Sequence, residues 1–229
     1  MTMIWLIRHG ESESNAGLAT GATASIGLTP LGQAQAEALA AAFERAPDLI
    51  VSSGYRRALD TAALTRARFP QVPCEQWPIH EVAVLSDASR NHTTPAQRQP
   101  LVQAYWQRAD PHYVDGPGAE SFAQLVERAR DTLERLRRLD APFVAVFGHG
   151  LFTRALLWVH FVAPSDLSAE RMRAFRGFLS GFRIPNVSIV QVYRTSERQL
   201  LVGAPSVAHL PPAMRTAEPS GAAPRPQED

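Results

Sequence analysis

The chain has 229 residues and a formal net charge of +1, from 23 basic and 22 acidic side chains. That length fits one domain with a substantial core, and a charge so near zero gives no global field to draw nucleic acid or a membrane surface. Cys74 is the single cysteine, which excludes an intrachain disulfide and a multi-cysteine metal site.

No apolar run approaches the roughly 18 residues that span a bilayer. The N-terminus lacks a basic n-region and its apolar run is too short for a signal peptide, so the expectation is a soluble cytoplasmic protein. All the basic residues are arginine. Their number therefore carries little information about ligands, and their positions must carry it instead.

In chain order, Met3–Ile7 is a continuous apolar run that reads as a buried strand, broken by Arg8, His9 and Gly10. "LTPLGQAQAEALAAAFERA" follows as a helix, with Thr29 as its cap, Pro30 at its first position, and Leu39 and Phe43 on one side. A second strand covers Asp48–Ser52, and a second helix runs from about Tyr55 to Phe69, before Pro70. Cys74 to Pro117 is rich in proline and polar residues. Its one helix-like piece is "PAQRQPLVQAYWQRA", and it reads as an excursion over the top edge of a sheet. Within it Cys74 is expected to be a small buried residue, and Arg90 and His92 to sit in a solvated loop.

"AESFAQLVERARDTLERLRRL" places Phe122, Leu125, Leu133 and Leu136 on one helical face. Phe143–Phe147 is a third strand, Leu151–Phe161 an almost wholly apolar helix, and Val187–Tyr193 a fourth strand. The tryptophans Trp5, Trp77, Trp106 and Trp158 read as packing residues. From Gly203 the composition turns to Pro, Ala, Ser and Gly. The expected organisation is thus one domain over residues 1–202 and a flexible tail over 203–229. Strands alternating with helices imply a three-layer α/β/α sandwich with a mainly parallel central sheet. In such sheets ligands gather beyond the carboxyl ends of the strands.

Three strand ends carry matching chemistry. The first gives Arg8 and His9, then Glu11 and Asn15. The second, "IVSSGYRRALDTA", gives Ser52, Ser53, Arg56 and Arg57. The third holds His149 between Gly148 and Gly150. A neutral imidazole is a competent nucleophile near neutral pH, and arginines match phosphate oxygens with planar, permanently charged forks. Arg57 opens a helix, where a cation opposes the dipole, so an anion is expected beside it. Arg56 reads as solvated or paired, and the two serines as capping or turn residues. Phosphoryl transfer needs mostly positioning and charge, which such an edge supplies without a metal. A carboxylic acid to protonate the leaving oxygen completes the set.

"LIRHGESESN" resembles the phosphohistidine signature of the histidine phosphatase superfamily, the phosphoglycerate mutase-like fold. The resemblance continues through "GLTPLGQAQA", "SSGYRRALDTA", "ESFAQLVERA", "FGHGLFTRALL" and "IPNVSIVQV", over roughly residues 3 to 193. It implies that His9 accepts the phosphoryl group, that Arg8, Arg57 and His149 bind its oxygens, and that Asn15 lines the pocket. It also implies that the Gly10 carbonyl orients the His9 ring. The proton donor falls on Glu81 in "WPIHEVAVL", although the glycine-containing stretch usual after such a glutamate is replaced by "VAVLSDASRNHTTP". Asp87 and Glu120 are the fallbacks.

The implied activity is a phosphomonoester hydrolase that uses no cofactor and no metal, acts on a small phosphorylated substrate, and has no nucleic-acid or membrane partner. One alternative is phosphoglycerate mutase-type transfer. Against it, "AGLATGATASIGLTPLG" lacks the mutases' aromatic segment, and the excursion reads as poor in cations. The other alternative is a catalytically silent module that recognises phosphate.

Overall fold

The computed structural model describes residues 1–216. One sheet contains β1 (Thr2–Arg8), β2 (Leu49–Ser53), β3 (Cys74–Trp77), β4 (Phe143–Gly148), β5 (Ile189–Arg194) and β6 (Leu200–Ser206). Their spatial order is β3-β2-β4-β1-β5-β6. The first four run parallel, and β5 and β6 add an antiparallel edge beyond β1. The helices are α1 (Pro30–Ala41), α2 (Arg56–Arg68), α3 (Asp87–Arg90), α4 (Pro95–Arg108), α5 (Phe122–Arg138), α6 (Gly150–Val162) and α7 (Ala169–Gly181). None is long and apolar enough to cross a membrane.

β4 is buried along its whole length and β1 along most of it, so alternation sends side chains into two cores rather than to one core and to solvent. Ile4, Leu6, Val144 and Val146 pack with α5, α6 and α7. Ile7, Phe143, Ala145 and Phe147 pack with α1 and α2. Trp5 lies on this second side, 4.8 Å from the ring of Phe43 and 5.0 Å from that of Phe143. The layered, mainly parallel architecture expected from the alternation of elements is the one found.

Local chemistry sets the helix starts. Thr29 accepts from the Gly32 amide with Pro30 in the first turn, and Tyr55 stands just before α2. Ser121 and Gln124 close a capping box on α5. The four apolar residues expected to share one face of α5 are all buried.

Several expectations are corrected. Cys74 is exposed, because β3 is the sheet's edge strand and three of its four residues face solvent. β5 begins at Ile189 rather than Val187. Val187 has a φ of 50° and gives its N–H to the His9 carbonyl instead of to a ladder. The stretch from Gly203 does not begin as a flexible tail: β6 runs on to Ser206 against β5, and Pro205 is tolerated because β6 is an edge strand. Leu210 is then buried, the Met214 carbonyl accepts from Gln35, and Thr216 donates to Asn186. Residues 217–229 of the expected tail lie outside the described residues.

Candidate active site

β1 and β4 are in parallel register with Arg8 opposite Gly148, and the His9 amide continues the ladder to the Gly148 carbonyl at 3.0 Å. The residues just past these strand ends, His9 and His149, therefore lie side by side, with ring centroids 5.1 Å apart. β2 flanks β4 and delivers Ser53 and, one turn later, Arg57 to the same edge.

His9 is buried, and its Nδ1 lies 2.6 Å from the Gly10 carbonyl oxygen. A carbonyl can only accept, so Nδ1 carries the proton and Nε2 holds the lone pair. Arg57 Nε donates to that lone pair at 3.0 Å. Burial, then the charges of Arg57 and Arg8, hold the His9 pKa well below its ordinary value, so the ring is neutral. The Gly10 amide donates to Thr61 Oγ1, which donates in turn to the Arg57 carbonyl, tying the loop to α2.

Both cations are buried. Arg8 Nη1 donates to the Ile184 carbonyl at 2.6 Å. A Cβ on Gly150 would lie 3.2 Å from Arg8 Nε, so the glycine after His149 leaves room for this side chain. Arg57 Nη1 donates to the Thr23 carbonyl at 2.8 Å. Its pKa is lowered to about 10, chiefly by burial and against the pull of Glu81, so it stays charged at neutral pH.

His149 is wholly buried, with Nε2 2.8 Å from Ser53 Oγ. That oxygen already accepts from the Tyr55 amide. The hydroxyl can still donate to Nε2 or accept from it, and His149 Nδ1 has no protein partner. Burial, then Arg57, pushes the His149 pKa well below its ordinary value.

Asn15 Oδ1 accepts from Ser12 and from Asn186 Nδ2, and the same Asn186 group donates to the His9 carbonyl. The Glu81 carboxylate accepts from the backbone amides of Val82, Leu151 and Phe152, the last two in the first turn of α6. The segment before it is held by Arg128, which donates to the Pro78 and His80 carbonyls and pairs with Glu120 at 2.6 Å.

A cavity of about 230 Å³ is lined by Arg8, His9, Asn15, Arg57 and Glu81, among others; His149, expected among the phosphate ligands, packs against the His9 ring and is not on that lining. Among the described residues, Glu81 is the one carboxylate on that lining. Glu120 is taken by Arg128 and Asp87 by Arg90, and neither reaches the cavity. No cluster of three or more His, Cys, Asp or Glu placed to hold a metal ion occurs among the described residues.

The family model described as "Histidine phosphatase superfamily (branch 1)" matches residues 4–202. The chain belongs to the histidine phosphatase superfamily. This member is 30% identical over 161 residues to the metal-independent phosphoserine phosphatase of Arabidopsis thaliana, covering 68% of this chain and 67% of the relative. It is 31% identical over 168 residues to the glucosyl-3-phosphoglycerate phosphatase of Mycolicibacterium vanbaalenii, covering 66% and 72%. The alpha-ribazole phosphatase from Shigella flexneri shares its fold, with a TM-score of 0.68 at 20% identity over 89% of this chain and 96% of that one.

Within this histidine phosphatase the excursion departs from expectation. Arg90 was expected in a solvated loop, and the whole segment to be poor in cations. Instead α3 ends on Arg90 and the first turns of α4 carry Arg98, and both line the cavity. His92 is exposed, as expected, and Arg56 lies beside Asp60 on the surface. Ser53, expected as a capping or turn residue, accepts from the Tyr55 amide and also meets His149. Asn186 is a contributor that sequence reading missed; it lies in "IPNVSIVQV", three residues before β5.

Proposed function

We propose that this histidine phosphatase is a metal-independent phosphomonoester hydrolase working through a phosphohistidine on His9. The observation that carries the reading is the Nδ1–H bond to the Gly10 carbonyl, which leaves Nε2 of a neutral, buried imidazole as the lone pair beside two guanidinium groups.

Arg8 and Arg57 bind the phosphoryl oxygens, with Asn15 on the same wall, and His149 packs beside the His9 ring. His9 Nε2 attacks phosphorus in line as the ester P–O bond breaks, and the carboxylic acid of Glu81 gives its proton to the departing oxygen. Water then attacks the phosphohistidine, the Glu81 carboxylate takes its proton, and phosphate leaves with His9 neutral again. Arg8 and Arg57 supply the positive charge that a metal supplies elsewhere.

The test is phosphate release from a panel of phosphomonoesters in EDTA. Wild type releases phosphate, and His9→Ala loses turnover by ~10³-fold or more; substantial release by the variant would overturn the nucleophile assignment. Glu81→Gln slows alkyl esters by ~10²-fold or more but aryl esters far less, because aryl leaving groups need little protonation. Equal losses would make Glu81 structural. Mutase-type transfer is the second reading, favoured by the two arginines of the excursion on the cavity wall. It predicts an isomeric phosphoester in place of released phosphate.

A further inference from the structure

We infer that the substrate carries a second anionic group a few bonds from its phosphate, and that Arg90 and Arg98 bind it. This deepens the phosphomonoesterase reading and rests on it. Four guanidinium groups line the cavity against the single carboxylate of Glu81. Arg8 and Arg57 come from the strand-end side, where His9 lies, and a phosphate dianion matches them. Arg90 and Arg98 come from the excursion, which closes the cavity from the other side.

Arg90 has one acidic partner, Asp87, and Arg98 has none among the described residues. Arg98 is half-buried, yet all its partners are neutral: the carbonyls of Thr93 at 2.8 Å and Arg90 at 3.2 Å, and the hydroxyls of Ser14 at 3.3 Å, Thr93 at 3.4 Å and Thr20 at 3.5 Å. No carboxylate pairs with it among the described residues. It also lies near the N-terminus of α4, where a cation opposes the helix dipole. Arg90 meets one carboxylate, Asp87, at 2.6 Å, and its Nε is buried without any partner. The two arginines repel each other, and Arg90 also repels Arg57. An anion between them relieves that repulsion; a neutral alcohol would not.

Size and lining narrow the class. The cavity, about 230 Å³, is smaller than the 300–1,000 Å³ common for drug-sized ligands. Val82, Val84, Leu85 and Val102 form an apolar strip on its wall, suited to a short carbon skeleton. The ligand class is a compact phosphorylated acid, its second anion being a carboxylate or a further phosphate.

The experiment is calorimetry on the full chain with phosphonates, whose P–C bond this chemistry does not cleave. 3-Phosphonopropionate is expected to bind at least ~10-fold more tightly than propylphosphonate, as a charge-assisted guanidinium pair implies. Propane-1,3-diphosphonate then tells a second phosphate from a carboxylate. In Arg90→Gln and Arg98→Gln the preference falls towards one, and Arg98→Lys, which keeps the charge, retains part of it. Equal affinities in wild type overturn the inference, as does a preference that survives in both glutamine variants. If Arg98→Gln does not fold, Arg90→Gln and Arg98→Lys carry the comparison. A preserved preference in a protein that releases phosphate from nothing would sink the hydrolase reading and keep this site. Hydrolysis without the preference does the reverse.

Discussion

At His149 the ring is held by one hydroxyl. Ser53 Oγ lies 2.8 Å from Nε2 and also accepts from the Tyr55 amide. Removing it leaves His149 without its side-chain hydrogen bond and lets the ring turn against its neighbour His9. Ser53→Ala is therefore expected to lower kcat/KM by ~10–100-fold, as when the group that orients a metal-bound histidine is lost, while stability falls by about 1 kcal/mol. Steady-state kinetics with an aryl phosphate, beside a urea titration, checks both; unchanged kcat/KM would show that the hydroxyl only caps the turn. The contrast in legibility is physical. Arg8, His9 and Arg57 announce themselves because strand ends and helix starts are local events. The pairing of residue 53 with 149, or of 14 with 98, exists only after the sheet has assembled.

Among elements, the closest approach is between the signature loop and α1. A Cβ on Gly32 would lie 2.0 Å from the Glu11 carbonyl oxygen, and one on Gly10 would lie 2.5 Å from the Gly32 carbonyl oxygen. Neither glycine has a positive φ, so both are required by backbone contact rather than by turn conformation. Gly32→Ala is expected to push α1 off the loop, at a cost of about 1–3 kcal/mol, and to weaken turnover by moving the Gly10 carbonyl that holds His9. A urea midpoint measured with kcat tests this; a neutral substitution would mean that the loop and helix separate freely. The Gly10 carbonyl lies where the resemblance implied, 2.6 Å from His9 Nδ1. α1 and α5 were legible because each has a cap and an apolar face. β3 and β6 were not, since edge strands expose both rows of side chains and lose the alternation that marks a half-buried strand. α7 buries only Met172, Phe175 and Leu179 on an otherwise polar surface.

For the molecule as a whole, five histidines are held below their ordinary pKa: His9, His80, His149, His160 and His209, with burial the largest cause in each. His80 is lowered to about 4. The unfolded chain takes up these protons near pH 6.5, and the folded chain resists them. Their neutrality costs nothing above pH 6.5 and destabilises the fold progressively as pH drops from there towards the lowered folded values. The urea midpoint is expected to fall between pH 7.5 and pH 5; a constant midpoint would mean that the buried rings accept protons in place.

The strand order has a separate consequence, for synthesis. β1 is the first strand made, yet it lies between β4 and β5, both far downstream in the chain. Its apolar run, Met3 to Ile7, cannot find a neighbour until Phe143–Gly148 has been translated. α1, β2 and α2 emerge before then, with one face of each still uncovered. The ribosome thus holds a long, sticky intermediate in which His9, Arg57 and Glu81 are already present, His149 is not, and the pocket has yet to form. Such a nascent chain is a client for whatever shields apolar segments in the cell, and this topology keeps phosphate chemistry silent until nearly the whole sheet has closed.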